Sequence, residues 1–166
     1  MIDDRYELFS NLPTKGDIDM DTKISEILRT KGDFVLNTGP ETSAIEAVRT
    51  MEDHNVGSIL IQEDEEILGI FSERDYIRRV VLDPSNDPDA PVRNVMTSRV
   101  AVVQPEDEVE DCMAIMTEQR IRHLPVVNNG ELKGLVSIGD CVKQVSKKAQ
   151  ARVKYLEDYI TGKYPR

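Results

Sequence analysis

Cysteine is scarce in this 166-residue sequence: Cys112 and Cys141 stand alone, with no CxxC pair. That excludes a disulfide framework and a cysteine zinc site. No apolar run approaches the roughly 18 residues of a membrane span. Cations are in deficit, with 21 Lys and Arg against 31 Asp and Glu, for a formal net charge of −10. Such a surface repels nucleic acid and anionic lipid, so an anionic ligand needs a local basic pocket working against the global field. The first residues, Met1–Arg5, are acidic where a signal peptide is basic and then apolar. Also missing are a Ser-His-Asp order, a nucleophile elbow, a Walker loop, an HExxH pair and zinc spacing. No reaction chemistry is visible. The expectation is an acidic, globular, cytoplasmic protein with neither nucleic acid nor membrane as partner.

What is present is a repeat. Shifting Val56–Val80 by 65 positions lays it on Ile121–Val145 without a gap. Glu66/Glu131, Gly69/Gly134, Ser72/Ser137, Asp75/Asp140 and Val80/Val145 coincide, and so do apolar pairs such as Ile59/Leu124 and Ile70/Leu135. The same offset pairs Val35 with Val100, Pro40 with Pro105 and Met51 with Met116. Chance does not hold an apolar phase over that length.

Between the copies, residues 83–91 carry three prolines and three aspartates and read as an exposed linker. The expected organisation is an N-terminal segment (1–20), a first unit (21–82), the linker (83–91), a second unit (92–146) and a helical tail (147–166). A unit of about 60 residues buries only about 60% of its unfolded surface and is marginal alone. Two such halves are expected to pack as one α+β body about an approximate twofold axis.

Each copy reads as strand, helix, hairpin, helix. Phe34–Asn37 and Val100–Val103 are short β-type runs ending before a proline. Ala44, Val48 and Met51, like Val109, Cys112 and Met116, fall at helical spacing, with Thr42 as an N-cap. Ser58–Ile61 and His123–Val127 read as strands. Asn129-Gly130 suits a type I′ turn, whereas Asp64-Glu65 predicts a looser loop. The last helix continues through Val142, Val145, Ala149, Val153, Leu156 and Ile160 to Gly162, with an apolar stripe to bury.

Two clusters can carry function. Ser72-x-x-Asp75 and Ser137-x-x-Asp140 follow the hairpins and match a capping box. A carboxylate at that position can also accept from ribose hydroxyls, as the acid of dinucleotide sites does. The two roles are compatible. The second cluster, Arg120, Arg122 and His123, puts three potential cations at the start of a copy-two strand, where copy one has Val56-Gly57-Ser58. Copy one carries Arg74, Arg78 and Arg79 after its hairpin, of which Arg78 and Arg79 are expected to face solvent. In a twofold arrangement, basic residues of one copy line the crevice beside the acid of the other. His54 suits a helix C-terminus. Cys112 falls on an apolar face, and Cys141 near a helix start, where a thiol pKa can fall.

The doubled unit, with Arg122–Val127 and Gly134–Asp140, resembles a tandem cystathionine β-synthase (CBS) domain pair, or Bateman module, over roughly Asp21–Val145. Ser72–Asp75 is similar to a Thr/Ser-Glu-Arg-Asp run in many first copies of that family. The tail Tyr155–Tyr164 resembles the closing helix of CBS-pair proteins without a catalytic domain. The resemblance implies a regulatory module of two β-α-β-β-α repeats that is not an enzyme and requires no cofactor. Its ligand would be AMP, ADP, ATP, NAD(H) or S-adenosylmethionine, bound in two clefts between the copies. Asp75 and Asp140, with Ser72 and Ser137, would hold ribose. Thr38, Val56, Ser58, Val103, Ile121 and His123 would touch the base. Arg120, Arg122 and His123, ahead of Pro125, would hold phosphate beside Asp75, and Arg74 would do so beside Asp140. Gly139 offers no side chain, so the Asp140 cleft has fewer phosphate ligands. Such modules pair into homodimers and signal to a regulated protein. The alternatives are an interaction dimer that binds no physiological nucleotide and a thiol-redox enzyme using Cys141.

Overall fold

Hairpins at the centre of each copy set the architecture. In copy one, β2 (Ser58–Glu63) pairs antiparallel with β3 (Glu66–Ser72), and in copy two β4 (His123–Asn128) pairs with β5 (Glu131–Ser137). The structure, a computed structural model, describes residues 22–161. The expected N-terminal segment and the end of the tail beyond residue 161 lie outside the described residues. Both hairpins turn on two residues with positive φ, Asn129 and Gly130 in copy two and Asp64 and Glu65 in copy one. The looser loop expected at Asp64 is therefore corrected: strand pairing imposes the same tight turn on residues that do not favour it.

Around the hairpins run α1 (Ile24–Lys31), β1 (Asn37–Thr38), α2 (Ala44–Asp53), α3 (Glu73–Tyr76), α4 (Val109–Gln119) and α5 (Ile138–Ile160). Short α3 widens into a π turn over Ile77–Val81 before the linker. The predicted strand Phe34–Asn37 shrinks to β1, which runs parallel to β2, and Val100–Val103 to a single bridge from Val103 to Val126. The N-cap of α2 is Ser43, whose Oγ accepts from Glu46 N, rather than Thr42, whose hydroxyl is paired with that of Thr38 at 2.7 Å. His54 ends α2, its Nδ1 2.9 Å from Thr50 O.

Two cores form, and each takes its closing side chains from the other copy. Ile24 and Ile27 of α1 precede copy one yet pack with Val109, Met116, Leu124 and Val136 of copy two. Val92 and Val95 follow the linker yet pack with Met51, Ile59 and Phe71 of copy one. Matched bonds anchor the exchange: Ile24 N donates to Asp107 O (3.0 Å), and Val92 N to Thr42 O (2.7 Å). The segments before copy one and after the linker thus add apolar surface to cores that are small on their own. The repeated glycines make room for the crossing segments. A Cβ on Gly69 would stand 2.5 Å from Met96 Sδ, and one on Gly134 2.6 Å from Leu28 Cδ2.

Candidate functional site

Where β3 passes into α3, Ser72 and Asp75 form a complete capping box. Asp75 Oδ2 accepts from Ser72 N (3.0 Å) and Ser72 Oγ (2.7 Å), and Oδ1 accepts from Thr97 Oγ1 at 3.3 Å. One carboxylate oxygen thus holds the helix start while the other meets Thr97 and Arg79, and the residue borders the space beyond. That space is a cleft of about 360 Å³. Its walls come from three stretches: Ile70–Arg79 of copy one, Thr97–Ala101 after the linker, and Gln119–His123 of copy two.

Six arginines line it (Arg74, Arg78, Arg79, Arg99, Arg120 and Arg122), against the single carboxylate of Asp75. Arg79 packs its guanidinium against the Val95, Met96 and Thr97 segment and lies 3.9 Å from Asp75. Arg74 Nη1 donates to Arg120 O at 3.2 Å. Among the described residues, Arg78, Arg99, Arg120 and Arg122 have no ion-pair partner. Arg120 ends α4 in the left-handed region (φ 55°), a conformation that its counterpart Asn55 (φ 52°) adopts more readily. The turn swings the chain so that Arg122 enters β4 beside the cleft. Its carbonyl is held by Ile138 N at 2.9 Å, as Gly57 O is held by Glu73 N.

The cross-copy arrangement brings Arg120, Ile121, Arg122 and His123 to the same cleft as Ser72 and Asp75. Two expectations change, and a third is extended. Arg74 lines this cleft rather than that of Asp140, because it precedes Asp75 on the first turn of α3 and reaches Arg120. Arg78 and Arg79 are exposed, as expected, yet both also line this cleft, with Arg79 donating to the carbonyls of Val95 and Met96. Val103 is buried in the copy-two core, and Val100 and Ala101 take the lining position. Burial first, then the charges of Arg122 and Lys31, pushes His123 down to about 4, so it is a neutral ring and not a third cation. Thr97, Arg99 and Gln119 carried no recognisable signal in the sequence; packing alone assembles them here.

Asp140 lies elsewhere, at the start of α5, in the second capping box. Ser137 N and Oγ each donate to its Oδ2 at 2.8 Å, and Lys31 Nζ sits 2.7 Å from the same oxygen. Burial raises this carboxyl, but the Lys31 and Ser137 hydrogen bonds outweigh it and hold it below the usual carboxylate range. Gly139 is exposed beside it. Ser58 is buried with its Oγ unpartnered, Val56 is exposed ahead of β2, Thr38 ends β1, and Pro125 is buried in β4. None of these lines the arginine-rich cleft.

The thiol environments do not favour the redox alternative. Cys141 is fully buried, and burial, then the Asp140 charge, pushes its thiol up to about 11; Cys112 is likewise buried and raised to about 12. Helix-start geometry does not activate a thiol that water cannot reach. Among the described residues no helix is long and apolar enough to cross a membrane, and no cluster of metal-ligating side chains occurs.

Comparison with known proteins agrees with the doubled architecture. The CBS domain family model matches residues 34–82 and 92–147. The chain is 33% identical over 152 residues to the CBS domain-containing protein CBSX3, mitochondrial, of Arabidopsis thaliana, spanning 86% of this chain and 74% of that one. Among solved structures, a candidate signal-transduction protein with CBS domains from Burkholderia ambifaria superposes with a TM-score of 0.72 at 38% identity. It covers 75% of this chain and 93% of its own. A CBS-domain protein from Agrobacterium tumefaciens gives 0.71 at 37% identity, covering 74% and 98%. Matched hairpins, paired capping boxes and exchanged segments are thus those of a tandem repeat, and the chain belongs to the CBS-domain family.

Proposed function

We propose that this protein is a regulatory module that binds an anionic adenine nucleotide in the Asp75 cleft and passes its occupancy to a partner protein. One observation carries the reading: six arginines converge on a single cleft in a chain of net charge −10. Such a concentration of like charge opposes folding unless an anion offsets it, and guanidinium groups grip phosphate with paired hydrogen bonds. The adenosine part of the reading rests on family membership and on the carboxylate of Asp75, which lines the cleft. S-adenosylmethionine, whose sulfonium is cationic, fits this electrostatics poorly, so AMP, ADP, ATP and NAD(H) are favoured. The role is binding and not catalysis.

Self-association belongs to the same reading. Ile77, which opens the π turn after α3, and Val142 on α5 occupy equivalent places in the repeat and are 51% and 48% exposed, with Val81, Leu82 and Val153 also bare. Exposed apolar side chains on both copies, with one equivalent pair among them, suit a homodimer interface.

A melting screen against AMP, ADP, ATP, NAD, NADH and S-adenosylmethionine tests the function. A ligand at 100 times its Kd adds about 2.7 kcal/mol of stability. Arg122→Ala should lose AMP affinity much more than adenosine affinity. No shift with any of the six, at millimolar concentration, would leave the interaction dimer as the better reading.

A further inference from the structure

Residues 24–31 and 92–99 occupy equivalent places against the opposite copies, as the matched bonds of Ile24 and Val92 show. Beyond those bonds the two segments diverge. After Val92–Asn94 the chain extends. Thr97 N then donates to Ile70 O (2.9 Å) and Thr97 Oγ1 to Asp75 Oδ1 (3.3 Å). On the other side α1 stays helical through Lys31 and stops at Gly32, whose φ of +88° suits glycine. There Leu135 O, the counterpart of Ile70 O, and Asp140 Oδ2, the oxygen that also caps the helix, are both taken by one ammonium, Lys31 Nζ, at 2.9 and 2.7 Å. A neutral hydroxyl and amide serve the first copy; a full positive charge serves the second.

That difference bears on occupancy. Each acid takes two bonds from its capping serine on Oδ2, and only Asp140 carries an ammonium on that oxygen as well, which neutralises the carboxylate. Ribose hydroxyls are neutral donors, and a charge-assisted bond from an ammonium is roughly twice as strong as a neutral one. Nor does copy one supply cations to draw a phosphate in, since Gly57 and Ser58 stand where copy two has Arg122 and His123.

We propose that Lys31 is an internal competitor for the Asp140 cleft. Its ammonium holds the carboxylate that a ribose needs, so each chain takes one anionic nucleotide, in the Asp75 cleft. The inference rests on the nucleotide reading above and adds an occupancy-determining residue to it.

Calorimetric titration with AMP, on wild type, Lys31→Met and Lys31→Gln, provides the test. Wild type should bind one equivalent per chain, lost in Asp75→Ala. Both lysine variants should bind a second equivalent, which Lys31→Met combined with Asp140→Ala abolishes while the first remains. Melting curves establish that each variant is folded, and the two substitutions differ enough in polarity that one can stand in for the other. Two equivalents in wild type, or one equivalent in both folded lysine variants, overturns the proposal and leaves the Asp75 reading intact. Binding by none of the proteins overturns the nucleotide reading and this proposal together.

Discussion

Met96 fills the space that a side chain at Gly69 would need: a Cβ there would lie 2.5 Å from Met96 Sδ and 2.9 Å from Thr97 O. Through this contact the segment after the linker lies against the copy-one hairpin, with Thr97 and Ile70 exchanging backbone hydrogen bonds. The same crossing delivers Thr97 to Asp75 and Arg99 to the cleft.

The two repeated glycines should therefore differ. At Gly69 the obstacle includes backbone, whereas at Gly134 it is the far end of the flexible Leu28 side chain. Gly69→Ala should destabilise by about 1–3 kcal/mol, as overpacking does, and Gly134→Ala by distinctly less. Denaturant titration of both variants reads the difference directly. Equal losses would mean that the Thr97 carbonyl yields as easily as a leucine methyl.

On the proposed function, Asp75 has two separable roles. Loss of its bonds to Ser72 should cost about 1 kcal/mol of stability, the usual value for a helix cap. Loss of a charged acceptor for ribose should cost a further factor of about ten to a hundred in AMP affinity. Asp75→Ala, followed by calorimetry and by melting, reports both. Lower stability with unchanged affinity would restrict the carboxylate to capping.

Acid should weaken the fold through His123. Its ring is neutral in the native state, with a pKa of about 4 against the ordinary 6.5, so the unfolded chain takes up the proton first as pH falls. The contribution is complete above pH 6.5 and is lost between 6.5 and 4, amounting to about 3 kcal/mol. Asp140, with its pKa lowered, adds stability that persists above its unfolded value near 3.8 and disappears below it. His123→Gln should flatten the stability–pH curve between pH 6.5 and 4 and leave the more acidic limb in place. A slope unchanged in that variant would assign the transition to other groups.

Assembly is testable at Ile77 and Val142. Wild type should sediment near twice its 18.8 kDa chain mass at micromolar concentration. Ile77→Glu combined with Val142→Glu should yield monomers that still melt cooperatively, because both side chains are about half exposed within one chain. A wild-type protein that is monomeric throughout would remove the homodimer.

Much of this molecule was legible because its determinants are local or periodic. The 65-residue offset, the Asn129-Gly130 turn, both Ser-x-x-Asp caps and the long α5 depend on residues within a few positions of one another, whose backbone geometry follows from residue type. Repetition also put Arg122 and Asp75 on facing copies. Tertiary structure decided the rest. Which core Ile24 and Val92 close depends on where complementary apolar surface lies, in the opposite copy and outside either segment. Arg78 and Arg79 reach the cleft from a π turn after α3, a feature that no spacing announces. The neutral His123 and the inert Cys141 owe their state to burial, which near neighbours in the chain do not set. Lys31 and Asp140 lie 109 positions apart and meet only because α1 crosses to the second copy. Local chemistry thus specified two similar sites, and long-range packing, which places a different donor at each acid, made them unlike.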